Sequence, residues 1–174
     1  MLTLKATKNH SHNLSKARAA SHVSTETLNA VIKFHKSIGN KSTPLVDLPG
    51  LANDLGVQSV FIKDDSQRLG LNAFKGLGAS YAMHKQLEKN PNIEVFCTAT
   101  DGNHGKAVAW MARKSSKKAV IYMPKGTVSD RVMAIEKEGA EVIVIDGGYD
   151  DAVKKAYDKV ESFTDTNSWC LVQD

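Results

Sequence analysis

The sequence predicts an α/β fold built on a parallel sheet. Two observations predict it. From residue 94 onward, strand-like and helix-like segments alternate in the order β-α-β-α-β-α-β, the pattern that calls for parallel strands joined by crossover helices. The helical segments carry apolar residues three and four apart, as in Tyr149, Ala152, Val153, Ala156, Tyr157 and Val160, so each has one face to bury against a sheet.

The strands are expected at residues 94–99, 119–122, 141–145 and 169–172. Asp101-Gly102-Asn103-His104-Gly105 reads as a turn, followed by a helix to about residue 115 with Ala107, Val108, Met111 and Ala112 inward. Thr127 with Asp130 reads as a capping box for a helix whose inner face is Val128, Val132 and Ile135 and which Gly139 ends. Gly147-Gly148 is a tight turn before a helix whose first turn holds Asp150 and Asp151, which repel phosphate and favour a helix N-terminus. In such sheets ligands bind beyond the carboxyl ends of the strands. Residues 100–105 and Gln173-Asp174 both lie at such ends.

The first ninety residues are organised differently. Residues 1–20 are polar and read as a loose arm, or as strands laid on another part of the protein. Ser24 is a candidate N-cap for a helix to about residue 38, with Leu28, Val31, Ile32 and His35 as its inner side. Pro44 forces an extended segment, Gly56 stops a short helix over 51–55, and Val60-Phe61-Ile62 is a strand. A polar loop over 63–72 delivers the chain to Lys75. This lysine opens a helix with Ala79, Ala82, Met83 and Leu87 on its apolar stripe. A helix N-terminus is unfavourable for a cation, so the placement favours a neutral amine, which can attack an aldehyde. The competing reading of Lys75 is a solvated surface lysine. Asp64 and Asp65 read as loop or cap residues rather than a catalytic pair.

Composition narrows the function classes. The chain has 174 residues, 41% hydrophobic and 24% charged, which suits a folded core. No apolar run reaches the length of a membrane span, and Lys5, Lys8, His10 and His12 break up any signal-peptide core, so a cytoplasmic location is expected. Cys97 and Cys170 sit in apolar strand-like runs and read as buried thiols, with no metal-ligand spacing around them. The net charge of +4 is spread over lysines that are not interleaved with aromatics, which argues against a nucleic-acid platform.

Within the turn at 101–105, Asp101 can take a proton and Asn103 can hydrogen-bond an oxygen. The same residue types also make an ordinary turn. His104 reads as a structural histidine.

The ordered set Asp64-Asp65-Ser66-Gln67-Arg68, Gly70-Leu71-Asn72-Ala73-Phe74-Lys75, Thr100-Asp101-Gly102-Asn103-His104-Gly105, Ala109-Trp110, Ile121-Tyr122-Met123-Pro124-Lys125-Gly126, Tyr149-Asp150-Asp151 and Gln173-Asp174 resembles the fold-type II pyridoxal-phosphate-dependent enzymes, the tryptophan synthase β-like superfamily. It is most similar to the diaminopropionate ammonia-lyases, over residues 43–174. The resemblance implies a three-layer parallel-sheet fold with residues 1–42 as arm and helix, 43–90 as part of a large domain, and 91–174 as a four-stranded small domain. It implies pyridoxal 5′-phosphate as cofactor, with Lys75 as the Schiff-base lysine, Asn103 as the partner of the cofactor's 3′ oxygen, and Phe74 beside them. It also implies two bases, Asp101 for the D-isomer of 2,3-diaminopropionate and Asp174 for the L-isomer, in an elimination that yields pyruvate and ammonia. Many relatives have serine or threonine at the Asp101 position.

The family's glycine-rich phosphate loop lies beyond the Gln173-Asp174 segment, so the chain is expected to lack it and to be a fragment of a longer enzyme. The partners expected are a small amino-acid substrate and either a second copy, as a homodimer, or a complementing C-terminal chain. The alternatives are another fold-type II enzyme, such as a serine/threonine dehydratase or a racemase, and an inactive half of a split enzyme.

Overall fold

The computed structural model describes residues 23–163 and 168–173. The arm expected over residues 1–20 and the site candidate Asp174 lie outside the described residues.

Helix α1 (Thr25–Ser37) is capped by Ser24, whose hydroxyl oxygen accepts from the Thr27 backbone N–H at 3.1 Å. Strands β1 (Leu45–Asp47) and β2 (Phe61–Lys63) pair antiparallel and flank the short helix α2 (Pro49–Leu55). Proline opens α2, where its missing N–H costs nothing. A 3₁₀ turn over Arg68–Gly70 leads to α3 (Lys75–Lys89), which Lys75 opens as expected.

The remainder alternates without interruption: β3 (Val95–Ala99), α4 (Asn103–Lys114), β4 (Lys118–Pro124), α5 (Ser129–Glu136), β5 (Glu141–Ile145), α6 (Tyr149–Glu161) and β6 (Trp169–Leu171). The four strands form one sheet in the order β5-β4-β3-β6, and every pairing is parallel. Both faces of this sheet are covered, so its central strands carry near-continuous apolar runs. The two-residue side-chain period still sorts them. Phe96, Ala119, Ile121 and Met123 join a core with Met83, Val108, Met111 and Ile135, whereas Val95, Cys97, Val120 and Tyr122 meet Ala152 and Ala156. Helices α3, α4 and α5 thus contribute to one face and α6 to the other.

Strands β3, β4 and β5 progress in one direction, and β6 then returns to the opposite side of β3. The order reverses between β3 and β6, so the crevice at their carboxyl ends is the topological switch point. The 100–105 segment and residues 172–173 lie there. Helix α3 packs against α4, which begins in that crevice, and so brings Lys75 to it.

Several local expectations differ from the structure, among them Tyr149 and Tyr157 of α6, which are exposed, and Cys170, which is only half-buried. Leu28 and Ile32 of α1 are exposed, and Phe34 is the residue that is buried, because α1 meets α3 through Phe34 and His35. Ala82 of α3 is exposed as well, beside the buried Ala79 and Met83. Residues Asn103, His104 and Gly105 belong to α4 itself rather than to the turn before it. The Thr127 hydroxyl donates to the Pro124 carbonyl at 2.8 Å, Val128 is the N-cap, and Val128 is exposed, so no capping box forms.

Among the described residues no helix is long and apolar enough to cross a membrane. Among the same residues no group of His, Cys, Asp and Glu side chains could hold a metal ion.

Candidate active site

The segment that delivers Lys75 is tightly built. Leu69, Gly70 and Asn72 all adopt positive φ, at 54°, 72° and 61°. Two non-glycine residues in that region within four positions mark a backbone held by its surroundings. Gly76 follows Lys75 where an added Cβ would lie 2.8 Å from a Leu71 methyl and 3.1 Å from a Leu69 methyl, so the absent side chain lets the loop fold back onto α3. Lys106, on α4, donates to the Leu71 carbonyl at 3.3 Å. Arg68 holds the other end of the loop: it donates to Asn40 at 2.8 Å, to the Thr43 hydroxyl at 2.8 Å and to Asp65 at 2.9 Å. Asp64 and Asp65 are therefore loop ties, as their sequence suggests; Asp64 accepts from the Ser66 N–H at 2.9 Å.

The crevice contains two adjoining clefts that share Lys75 and His104. One, of about 350 Å³, is lined by Lys75, Thr100, Asp101, Gly102, Asn103, His104 and Arg131. The other, of about 310 Å³, includes Phe74, Lys75, Gly78, His104, Val172 and Gln173. Lys75, Asp101 and Asn103 thus face one cavity, while Phe74 accompanies Lys75 in its neighbour. The Lys75 Nζ lies 5.8 Å from the Phe74 ring centroid, within the range of a cation–π contact.

The floor of the crevice is fixed by hydrogen bonds. The Thr100 N–H donates to the Tyr122 carbonyl at 3.0 Å, and the Gly102 N–H donates to the Thr100 hydroxyl oxygen at 3.1 Å. The buried His104 Nε2 lies 2.9 Å from the Val172 carbonyl oxygen, so the structural reading of this histidine holds. The Gln173 Oε1 accepts from the Thr98 hydroxyl at 3.1 Å and the Ala99 N–H at 3.4 Å, which pins the segment after β6 to β3.

Arg131 escaped the sequence reading. Its Nη1 donates to the Asp101 carbonyl at 3.0 Å and lies 3.6 Å from the Asp101 carboxylate. The available signal was topological: Arg131 stands in the first turn of the helix after β4, at the same sheet edge as Asp101.

A profile described as pyridoxal-phosphate dependent enzyme matches residues 36–174. The diaminopropionate ammonia-lyase of Salmonella typhimurium is 44% identical over 166 residues, which is 83% of this chain and 40% of that protein. The crystal structure of Escherichia coli diaminopropionate ammonia lyase in apo form superposes with a TM-score of 0.79 at 40% identity, covering 87% of this chain and 45% of that one. The structure of the same E. coli enzyme in complex with an aminoacrylate-PLP azomethine reaction intermediate also gives 0.79, at 42% identity over 87% of this chain and 41% of that one. The chain therefore spans about two fifths of the length of these relatives. The parallel four-stranded sheet with helices on both faces is the fold-type II arrangement of these enzymes. This chain, whose crevice joins Lys75, Asp101 and Asn103, belongs to the pyridoxal-phosphate dependent enzyme family.

Proposed function

We propose that this chain serves a pyridoxal-phosphate-dependent α,β-elimination of 2,3-diaminopropionate, in which one water is consumed and pyruvate and two molecules of ammonia are released. The observation that carries the reading is the single cleft lined by Lys75, Asp101 and Asn103. The donor set suits the cofactor, with a primary amine for its aldehyde and a carboxamide for its ring oxygen. When bound, the cofactor supplies an electron sink for charge that develops at the substrate α-carbon.

In this proposal Lys75 holds the cofactor through its amine, Phe74 lies beside it, and Asn103 donates to the 3′ oxygen. Asp101 accepts the α-proton of the D-isomer, and Asp174 that of the L-isomer. Arg131 keeps Asp101 at the cleft by bonding its carbonyl. Two separate bases can serve opposite faces of one carbon, which a single base does not do readily. Residues 1–42 are proposed as arm and helix, 43–90 as part of the larger domain and 91–174 as the smaller one. The working assembly is a homodimer or a pairing with a complementing C-terminal chain, acting in the cytoplasm.

The test is reduction with borohydride after incubation with pyridoxal phosphate, followed by peptide mass spectrometry. The expected result is a pyridoxyl mass increment on the peptide that holds Lys75, absent from Lys75→Ala. An equal increment spread over several lysines would overturn the assignment. Pyruvate release from both diaminopropionate enantiomers, serine and threonine then decides the substrate. Turnover of threonine without diaminopropionate would replace this reading with a dehydratase.

A further inference from the structure

We propose that the basic cleft between α1 and the loop before Lys75 binds a small anion through a phosphoryl group. The cleft is about 320 Å³, and His35, Lys36, Lys41, Ser42, Lys63 and Arg68 line it. Four of these six side chains are cations, and no carboxylate is among the described residues of its lining. None of its residues lines either cleft at Lys75, so the two locations can be probed separately.

Arg68 gives the cleft a buried wall. Only 8% of its surface is exposed, and its Nη atoms are engaged by Asn40, Thr43 and Asp65. Its Nε is buried and has no hydrogen-bond partner among the described residues. Buried guanidinium N–H groups are costly to leave unpaired, and an orphan of this kind calls for an explanation. Asp65, paired with Arg68, sets one negative charge beside the four cations of the lining.

The chemistry selects a phosphoryl group over a carboxylate. Lysine ammoniums are compact point charges that can approach a tetrahedral oxyanion from several directions. Lys36, Lys41 and Lys63 stand on three different segments around the cleft, and Lys63 is held there by donating to the Thr43 carbonyl. A dianion offsets two like charges at once, and Ser42 adds a hydroxyl donor. The anion would bridge α1 to the loop that carries Arg68.

The experiment titrates the isotope-labelled full chain with inorganic phosphate and with glycerol 3-phosphate, holding ionic strength constant with sodium chloride. Saturable amide shifts are expected over residues 35–43 and 63–68, with half-saturation on the order of 1 mM. The double variant Lys36→Gln/Lys41→Gln removes two exposed charges and is expected to weaken binding about tenfold or more. Lys75→Ala is expected to leave binding unchanged. Saturation by both probes supports a phosphoryl group in general, and by inorganic phosphate alone the free anion. Shifts that do not saturate, that chloride reproduces, that persist at full strength in the double variant, or that centre on Lys75 would each overturn the proposal.

Discussion

The imidazole Nε2 of His104 lies 2.9 Å from the main-chain carbonyl oxygen of Val172, so one bond ties the first turn of α4 to the segment after β6 across the switch point. Both residues are buried. His104→Leu would leave that carbonyl without this partner, a loss expected to lower stability by about 1–3 kcal/mol in chemical denaturation. His104→Gln keeps an N–H donor on a side chain of similar reach and is expected to recover part of it. Equal stability of the Leu variant and the parent would refute this role.

Gly105 marks how closely α4 approaches the sheet. A Cβ there would collide with the Thr100 methyl and sit 2.9 Å from an Ile121 methyl and 3.1 Å from an Ile135 methyl. Ala has the better helix propensity, yet these neighbours are packed core side chains with little room to retreat. Gly105→Ala is therefore expected to destabilise the chain by about 1–3 kcal/mol, the usual cost of overpacking, measured by the denaturant midpoint.

Asp101 and Arg131 carry the test of the proposed division between enantiomers. If Asp101 serves the D-isomer, Asp101→Asn is expected to lower D-diaminopropionate turnover by about 10²–10⁴-fold, the usual contribution of a positioned base, with the L-isomer retained. Arg131→Met removes the bond to the Asp101 carbonyl and is expected to follow the same enantiomer pattern with a smaller loss. Steady-state pyruvate release measures both, and an equal loss on the two isomers would reject the division of labour.

The alternating pattern after residue 94 was enough to read the parallel sheet, because strand and helix periods are local properties of the chain. The same locality explains what it missed. That β6 sits beside β3 depends on a return path that no run of residues spells out, and the switch point follows from that neighbour relation alone. Leu28 and Ile32 fit a helical stripe as well as Phe34 does; only the position of α3 decides which side is covered. That Lys75 opens a helix was legible in the local pattern, whereas Arg131 reaches Asp101 from thirty positions away in sequence, a distance no spacing rule covers.

Cys97 should be chemically silent in the folded chain. Burial between the sheet and α6 pushes its thiol up to about 12. At pH 8 roughly one thiol in 10⁴ is then the reactive thiolate, before access is considered. Burial raises Cys170 as well. A chromogenic disulfide reagent is expected to leave Cys97 unmodified in the native chain, with both cysteines reacting in denaturant. Rapid native labelling of Cys97 would contradict this packing.

The Asp65–Arg68 pair makes the loop before Lys75 sensitive to acid. Hydrogen bonds from Arg68, and then from the Thr43 hydroxyl, hold the Asp65 carboxyl below the usual carboxylate range. The folded chain therefore takes up this proton at lower pH than the unfolded chain, for which the value is about 4. The stabilisation is fully present above that value and is lost as pH falls through it towards the folded value. Asp64, held low by Ser66, acts in the same window, so the informative quantity is the difference between parent and variant. Asp65→Asn is expected to be less stable than the parent at pH 7 and to lose less on acidification, so that the two denaturation midpoints converge below about pH 4. Parallel pH profiles would show that Arg68 is held in place without the Asp65 charge.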